Sequence, residues 1–477
     1  MLRSLFTRNI CLVLTAALAL SCVALGQAGH NKPGAIRWSH VAFSTTDATA
    51  VFGCELAFFD PNLNPGGRIT CYGPSAIRSA YGLSGLINAG IDGRGRTIVI
   101  LDAFGSPTAE ADLKAFDSVF GLPDPPSFTI VNMPGAAPTN EGWVEEVSLD
   151  VQWSHAIAPG ANIVLVAAAS NSDDDLLAGL NYAIDHHLGD VISMSFGESE
   201  VFLTDAAGQL IVKGWEQAFR KARRHHITLF VSSGDEGSTN TANDLGDVFP
   251  FQNVSHPASS PWVTAVGGTN LYFGTGTVAT GKADPNGSYI GEQVWNDEPV
   301  GIAAAGGGGV SSIFRIPSYQ EFGLSQSVKR SLHKHRGLPD VAYNGGVVGG
   351  VIVYLGFLGP DDSGFYIFGG TSAGAPQWAG VIADINQVVG HPVGFLNNRL
   401  YLLGRFGLLK GLSHDITVGD NGFCFFTVPD PPGDFLCVDG FSATPGWDLA
   451  TGWGTPNLGH LFSWLHVWDG DDGGDPD

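Results

Sequence analysis

Apolar positions follow two rhythms along this chain. Thr97-Ile98-Val99-Ile100-Leu101, residues 163–169, Val191-Ile192-Ser193-Met194 and Ile227-Thr228-Leu229-Phe230-Val231 are short runs with apolar residues at neighbouring positions. Runs that do not alternate suit strands covered on both faces. Between them the spacing changes to threes and fours. This predicts helices over 109–120, through Leu176, Leu177, Leu180, Ala183 and Ile184, and around 215–223. Strands alternating with helices of this length predict βαβ units. The expectation is an α/β fold with a mostly parallel central sheet and helices on both faces. In such sheets, reacting groups gather at the carboxyl ends of the strands.

The ends of the chain break the rhythm. Arg3 and Arg8 precede an apolar run over 10–25, and Ala24-Leu25-Gly26 offers small residues for cleavage, so residues 1–26 read as an export signal. The run is short for a membrane span and no second one follows, which predicts a secreted product with no membrane association once the signal is removed. Cys22 as a lipid-attachment point is the rival reading. Residues 27–70 are irregular and rich in Gly, Pro and Asn, and the acidic stretch 466–477 reads as a disordered tail. The remaining 71–465 form one large unit, for which 44% hydrophobic residues supply a core.

Charge narrows the partners. Removing residues 1–26 takes away two positive charges and no negative ones, moving the formal balance from −23 to −25. So few basic residues argue against nucleic acid. In acid most of the carboxylates would be neutral and self-repulsion smallest. Beyond the signal, Cys54, Cys71, Cys424 and Cys437 remain, an even number that favours disulfides in an exported chain. Of three connectivities, the two local pairs Cys54–Cys71 and Cys424–Cys437 are expected.

The sharpest chemical motif is Gly369-Gly-Thr-Ser-Ala-Gly-Ala-Pro376. Its glycines allow close approach, and Ser372 opens a helix beside backbone N–H groups that can receive an oxyanion. A nucleophilic serine needs a base. His155, His186, His187, His225 and His226 lie in helical or strand-edge contexts that suit structural histidines. Glu146 and Asp150 instead share one helix face at i, i+4 spacing, inside a largely apolar stretch with Val144, Val147, Val151 and Trp153. Asp235, in Ser233-Gly-Asp-Glu-Gly237, directly follows an apolar strand, where an active-site acid belongs.

These segments together resemble the sedolisin family, the serine-carboxyl peptidases, over roughly residues 70–465. Ala156-Ile-Ala-Pro-Gly-Ala161, Ser193-Met-Ser-Phe-Gly197, Gly307-Gly-Gly-Val-Ser311, Pro317-Ser-Tyr-Gln320, Gly337-Leu-Pro-Asp-Val341 and Gly446-Trp-Asp-Leu-Ala-Thr-Gly-Trp-Gly-Thr-Pro456 add to the match in order and spacing. The resemblance implies a subtilisin-like fold and an acid-acting, monomeric endopeptidase whose partners are polypeptide substrates. It implies Ser372 as nucleophile, Glu146 as general base, Asp150 as the residue orienting it, and Asp235 as the acid that helps bind the oxyanion. Paired carboxylates share a proton, and an oxyanion-binding acid must be protonated. With ordinary Glu and Asp values near 4.3 and 3.9, the rate profile is expected to centre roughly between pH 3 and 5.

The resemblance further implies that Ser195, Phe196, Gly197, Gly307 and Gly308 pair with an extended substrate backbone, although Phe196 reads equally as a core residue. It implies one structural Ca2+ in a C-terminal region, held by the Asp415 and Asp448 carboxylates and the carbonyls of Ile416, Thr444 and Gly446. Two features depart from the family. Residues 27–70 are too few for its usual long propeptide, and Gly374 stands where serine is more frequent. The rival readings are a histidine-based subtilisin-like protease and a non-catalytic binding relative.

Overall fold

Alternate residues of each central strand enter different cores. Ile98 and Ile100 join one apolar cluster, while Val99 and Leu101 join a second on the opposite face; Ile163 and Leu165 likewise separate from Val164 and Val166. This explains why the strands read as continuous apolar runs. The computed structural model describes residues 71–243, 246–274, 288–359, 362–426 and 435–459, with short strands at Arg37–Trp38, Val41–Ser44, Leu56–Ala57 and Arg68–Ile69. The export signal and the acidic tail lie outside the described residues, as does the boundary near 465.

The main sheet runs Ser288–Val294, Thr264–Gly274, Thr228–Ser232, Val191–Met194, Thr97–Ala103, Asn162–Ala168, Phe128–Asn132, and Val341–Asn344 also pairs with Thr264–Gly274. Every pairing is parallel except that of Ser288–Val294. Helices Ala109–Phe120, Glu141–Ile157 and Thr371–Val389 contribute to the first core, and Asp173–Asp185 and Ala206–Arg224 to the second. A mostly parallel sheet with helices on both faces is therefore present.

The helix expected around 215–223 begins earlier, at Ala206. Asp205 caps it, accepting from the Gly208 N–H at 2.8 Å. Gly208 and Gly214 each cost about 1 kcal/mol of helix propensity relative to Ala, which obscures its first half, but burial of Val212 and Trp215 prevails. The segment expected to be irregular also carries structure. Val41–Ser44 joins a second sheet with Gly364–Gly369, Gly350–Leu355 and Cys71–Tyr72.

Cys424 and Cys437 face each other across paired strands and form a disulfide. Cys71 is also disulfide-bonded, while Cys54 lies outside the described residues. Among the described residues, no helix is long and apolar enough to cross a membrane.

The motif around Gly337–Val341 is structural. Asp340 is wholly buried, pairs with the buried Arg336 at 2.5 Å, and accepts from Ala265 N–H and Tyr401 O–H, each at 2.8 Å. These bonds tie the Thr264–Gly274 strand to the helix at Asn397–Arg405.

Candidate active site

Three neighbouring central strands, Thr97–Ala103, Val191–Met194 and Thr228–Ser232, end on the same side of the parallel sheet. Asp102 lies at the end of the first, Ser195 directly after the second, and Asp235 just beyond the third. The Thr371–Val389 helix brings Ser372 to this edge, and the Glu141–Ile157 helix brings Glu146 and Asp150.

The two helices approach closely because residue 380 is glycine. A Cβ on Gly380 would stand 2.7 Å from the Cβ of Ile157. Gly370, just before the Ser372 helix, has φ of 116°, a region that favours glycine. Gly374 has a packing role as well, since a Cβ there would lie 2.9 Å from Val266 Cγ1 and 3.0 Å from Tyr343 Cβ. The departure from serine thus matches a tight seat against the sheet.

Ser372 is wholly buried, and its hydroxyl donates to the Ser195 carbonyl at 3.3 Å. Pro376 sits four residues further along the helix and lacks the N–H that would normally bond to the Ser372 carbonyl. The Ser195 hydroxyl faces that carbonyl in a long 3.5 Å contact.

Glu146 and Asp150 are both fully buried, so the i, i+4 pair is not a solvated acidic face. Burial first, and then the negative charges of Asp102 and Glu146, hold the Asp150 carboxyl well above the usual carboxylate range; the Ser195 hydroxyl opposes the shift. Asp102 is the acid that sequence reasoning missed. It is wholly buried and belongs to no chemical motif. Its signal was its place at the carboxyl end of a central strand, the rule already used for Asp235.

Asp235 is joined directly to the start of the Ser372 helix. Its Oδ1 accepts from the Thr371 N–H at 2.8 Å and the Thr371 hydroxyl at 2.9 Å. Gly234 N–H in turn donates to Thr371 Oγ1 at 3.1 Å. Burial, followed by the charge of Glu236, pushes the Asp235 carboxyl up to about 7 against the two Thr371 bonds, and Glu146 adds to the rise. Its Oδ2 is buried with no hydrogen-bond partner among the described residues. A carboxyl protonated below about pH 7 with one oxygen unspent is a hydrogen-bond donor awaiting an acceptor.

The expected substrate strand divides into two cases. The Phe196 side chain is core, packed between Trp143 and Trp215 at ring separations of 6.0 and 6.3 Å, which leaves its backbone alone for the expected pairing. The backbone of Gly307 is bonded within the chain. Its N–H donates to Gly234 O at 2.8 Å, and its carbonyl accepts from the Ser233 hydroxyl at 2.7 Å. A Cβ on Gly307 would lie 2.2 Å from Ser233 O, and one on Gly308 2.1 Å from Leu449 O. Gly307 lets the loop lie against the Ser233–Gly234 turn beside Asp235, and Gly308 lets it lie against Leu449.

Histidine is used elsewhere. His155 faces Pro123 O at 2.8 Å and Asp117 at 3.3 Å, and His186 faces Tyr182 O at 2.9 Å. His256 lies among Trp215 and Phe314, where burial pushes it down to about 3.

The expected calcium ligands come from two segments, 415–416 and 444–448, that hydrogen bonds bring together. Asp415 accepts from Gly446 N–H at 3.0 Å, and Asp448 accepts from Thr444 N–H at 2.9 Å. Burial pushes Asp448 up to about 6 and raises Asp415. Among the described residues, the Ile416, Thr444 and Gly446 carbonyls accept no backbone N–H. Two partly desolvated carboxylates beside uncommitted carbonyls form a set of hard oxygen donors, which fits Ca2+.

Many of these acids are neutral in the fold well above their unfolded values. Burial raises Glu198 to about 9, with the Asp173 charge adding, raises Asp235 to about 7, and places Asp150 and Asp384 well above the usual range. Each favours the folded state fully below pH about 4 and loses that contribution as pH rises through its folded value. The melting temperature is expected to fall by roughly 5 °C or more between pH 4 and 8, as read by calorimetry. A melting temperature that rises over this interval would contradict the sign.

A serine opening a helix and buried carboxyls beside it meet at the carboxyl ends of a mostly parallel sheet. Residues 135–397 match the subtilase family model, more than half of the chain, and the chain belongs to that family. The matched residues include Glu146, Asp150, Asp235 and Ser372. Kumamolisin of Bacillus sp. (strain MN-32) is 33% identical over 394 residues, covering 81% of this chain and 62% of that protein. Sedolisin of Pseudomonas sp. (strain 101) is 28% identical over 377 residues, covering 77% and 57%. A structure of Pseudomonas sedolisin, a serine-carboxyl proteinase complexed with two molecules of pseudo-iodotyrostatin, superimposes with a TM-score of 0.65 at 25% identity, covering 85% of this chain and 100% of that one. The chain spans less than two thirds of the length of either curated relative.

Proposed function

We propose that this chain is an acid-acting endopeptidase that hydrolyses polypeptides through an acyl-enzyme on Ser372. The observation that carries this reading is Asp235, buried at the start of the nucleophile helix with Oδ2 unspent and its carboxyl neutral in acid. Glu146 takes the Ser372 proton as the hydroxyl attacks the peptide carbonyl, and Asp150, beside Asp102, holds Glu146 in place. Asp235 Oδ2–H, at the start of the Ser372 helix, stabilises the oxyanion. Glu146 then returns the proton to the leaving amine, and water hydrolyses the ester. Substrate adds as a strand to Phe196–Gly197, with the chain acting outside the cell after loss of residues 1–26. The test is hydrolysis of an unfolded protein between pH 2 and 8, wild type beside Ser372→Ala. A wild-type rate that climbs from pH 4 to 8 would sink the carboxylate mechanism.

Calcium at Asp415 and Asp448 is proposed to be structural. It would be held by those carboxylates and the Ile416, Thr444 and Gly446 carbonyls, and would supply fixed positive charge to the loop. A ligand bound only by the folded state stabilises it by mass action. Chelation is therefore expected to lower the melting temperature by several degrees, and Asp448→Ala to abolish the calcium dependence. A melting temperature indifferent to calcium would exclude the site.

A further inference from the structure

The strand Phe196–Ser199 is held in place in two ways. Along one edge it pairs antiparallel with Ser255–His256, Glu198 opposite His256 and Ser199 opposite Ser255. Side chains of a strand alternate between its faces, so Phe196 and Glu198 share the other hold. Phe196 packs on Trp215 at a ring separation of 6.3 Å, and the Glu198 carboxyl hydrogen-bonds to that of Asp173, the first residue of the Asp173–Asp185 helix. Asp173 Oδ1 also accepts from Trp215 Nε1–H at 2.7 Å. Two carboxyls and one indole thus join the strand to the start of one helix and the middle of another.

Two carboxyls bond to each other only while one keeps a proton. Glu198 is almost wholly buried, and burial, followed by the Asp173 charge, pushes it up to about 9. The proton therefore rests on Glu198, and Asp173, half-buried at a helix start where negative charge is favoured, is the acceptor. No neighbouring base competes for it. His256, opposite Glu198, is pushed down to about 3 by burial and stays neutral, and Asp174 adds only negative charge beside Asp173. Glu198 Oε1 and both His256 ring nitrogens are buried without a hydrogen-bond partner among the described residues. The bond to Asp173 is what fixes the Glu198 carboxyl.

We propose that Glu198 is a positioning residue for the peptidase: its bond to Asp173 holds the backbone of Phe196–Ser199 where substrate adds. This rests on the peptidase reading and deepens it. A substrate added as a strand takes its place from the main chain it pairs with. A shift of Phe196–Gly197 would therefore displace the peptide from Ser372, whose hydroxyl donates to the carbonyl of the preceding Ser195. Glu146, Asp150 and Asp235 stand on other elements and keep their places. Loss of the bond should accordingly weaken substrate binding far more than the chemical step.

The experiment compares the parent with Glu198→Met, Glu198→Gln and Asp173→Ala, all as full chains. At pH 4 on a peptide substrate, Glu198→Met, which keeps the length of the side chain but has no donor, should raise KM at least tenfold with kcat within threefold. Asp173→Ala removes the other end of the bond and should do the same. Glu198→Gln should hold KM within twofold, because its amide N–H donates to Asp173 as the acid does. An unchanged KM in Glu198→Met, or a KM raised as far in Glu198→Gln, overturns the proposal and leaves the peptidase reading standing. The proton is read by infrared spectroscopy at pH 7.5, where the parent should show a protonated-carboxyl band that Glu198→Gln lacks; identical bands overturn its placement on Glu198. Strand position is read without catalysis by hydrogen exchange. The Phe196–Ser199 amides should exchange at least tenfold faster in Glu198→Met than in the parent, while those of Ile98–Leu101 are unchanged. Equal exchange overturns the positioning role. A parent that cleaves no peptide at any pH overturns the peptidase reading and the KM effect with it, and faster exchange in Glu198→Met then still shows the strand held by this bond.

Discussion

Ser372→Ala is expected to lower kcat/KM by at least about 10^4-fold while leaving the melting temperature within a few degrees of the parent. Glu146→Gln should cost about as much, and the double variant little more, because a nucleophile and its base act as one unit. The geometry explains why the fold should survive. Ser372 makes a single 3.3 Å hydroxyl bond to Ser195 O, and the helix start is held by Asp235 through Thr371, which neither change touches. Glu146→Gln also removes a negative charge next to Asp150, whose carboxyl that charge helps to raise. Loss of activity in Glu146→Gln therefore cannot be assigned to electrostatic unfolding if calorimetry shows an undiminished transition. Should Ser372→Ala turn over peptide at the parental rate, Ser372 is not the nucleophile, and the peptidase assignment loses its centre.

Much of this site is legible in the sequence. Strand-end acids and a helix-opening serine are local patterns, and each carries its physical reason within a few residues. Asp235 and Ser372 belong to this group. Asp102 does not, because nothing adjacent to it marks it. Its importance comes from parallel pairing of Thr97–Ala103 beside Val191–Met194, which brings it within electrostatic reach of a helix some fifty residues away in sequence. Gly307 carries a packing role that its sequence does not show. A glycine-rich run reads as a backbone held open for a ligand, but here its carbonyl and N–H bond to Ser233 and Gly234. Gly374 was legible only as a departure, since its reason is the distance to Val266 and Tyr343, two strands remote in sequence. The pairing of residues 37–44 was equally hidden. Strands two and four residues long leave no periodicity to detect, and their register is set by the edges they join.

The pH limb of catalysis is where structure changes the quantitative expectation. With ordinary carboxyl values the oxyanion acid would lose its proton near pH 4, confining activity to roughly pH 3–5. Burial and the neighbouring Glu236 place the Asp235 carboxyl at about 7, so its donor persists through mildly acid solution. For the free enzyme, kcat/KM should therefore fall as pH rises through about 7, by about tenfold per unit once the proton is lost. Asp235→Asn separates this group from the others. The amide oxygen can accept both Thr371 bonds now made to Oδ1, and the amide nitrogen can occupy the place of Oδ2 and donate at every pH. The variant should lose about 10-fold to 100-fold at the optimum, since a neutral amide stabilises an oxyanion less well than a shared acid proton. Its profile above pH 6 should flatten, so that parent and variant rates converge toward pH 8. A limb of unchanged position and steepness in Asp235→Asn would assign the titration elsewhere, with Asp150, raised by burial and by Asp102, the next group to replace.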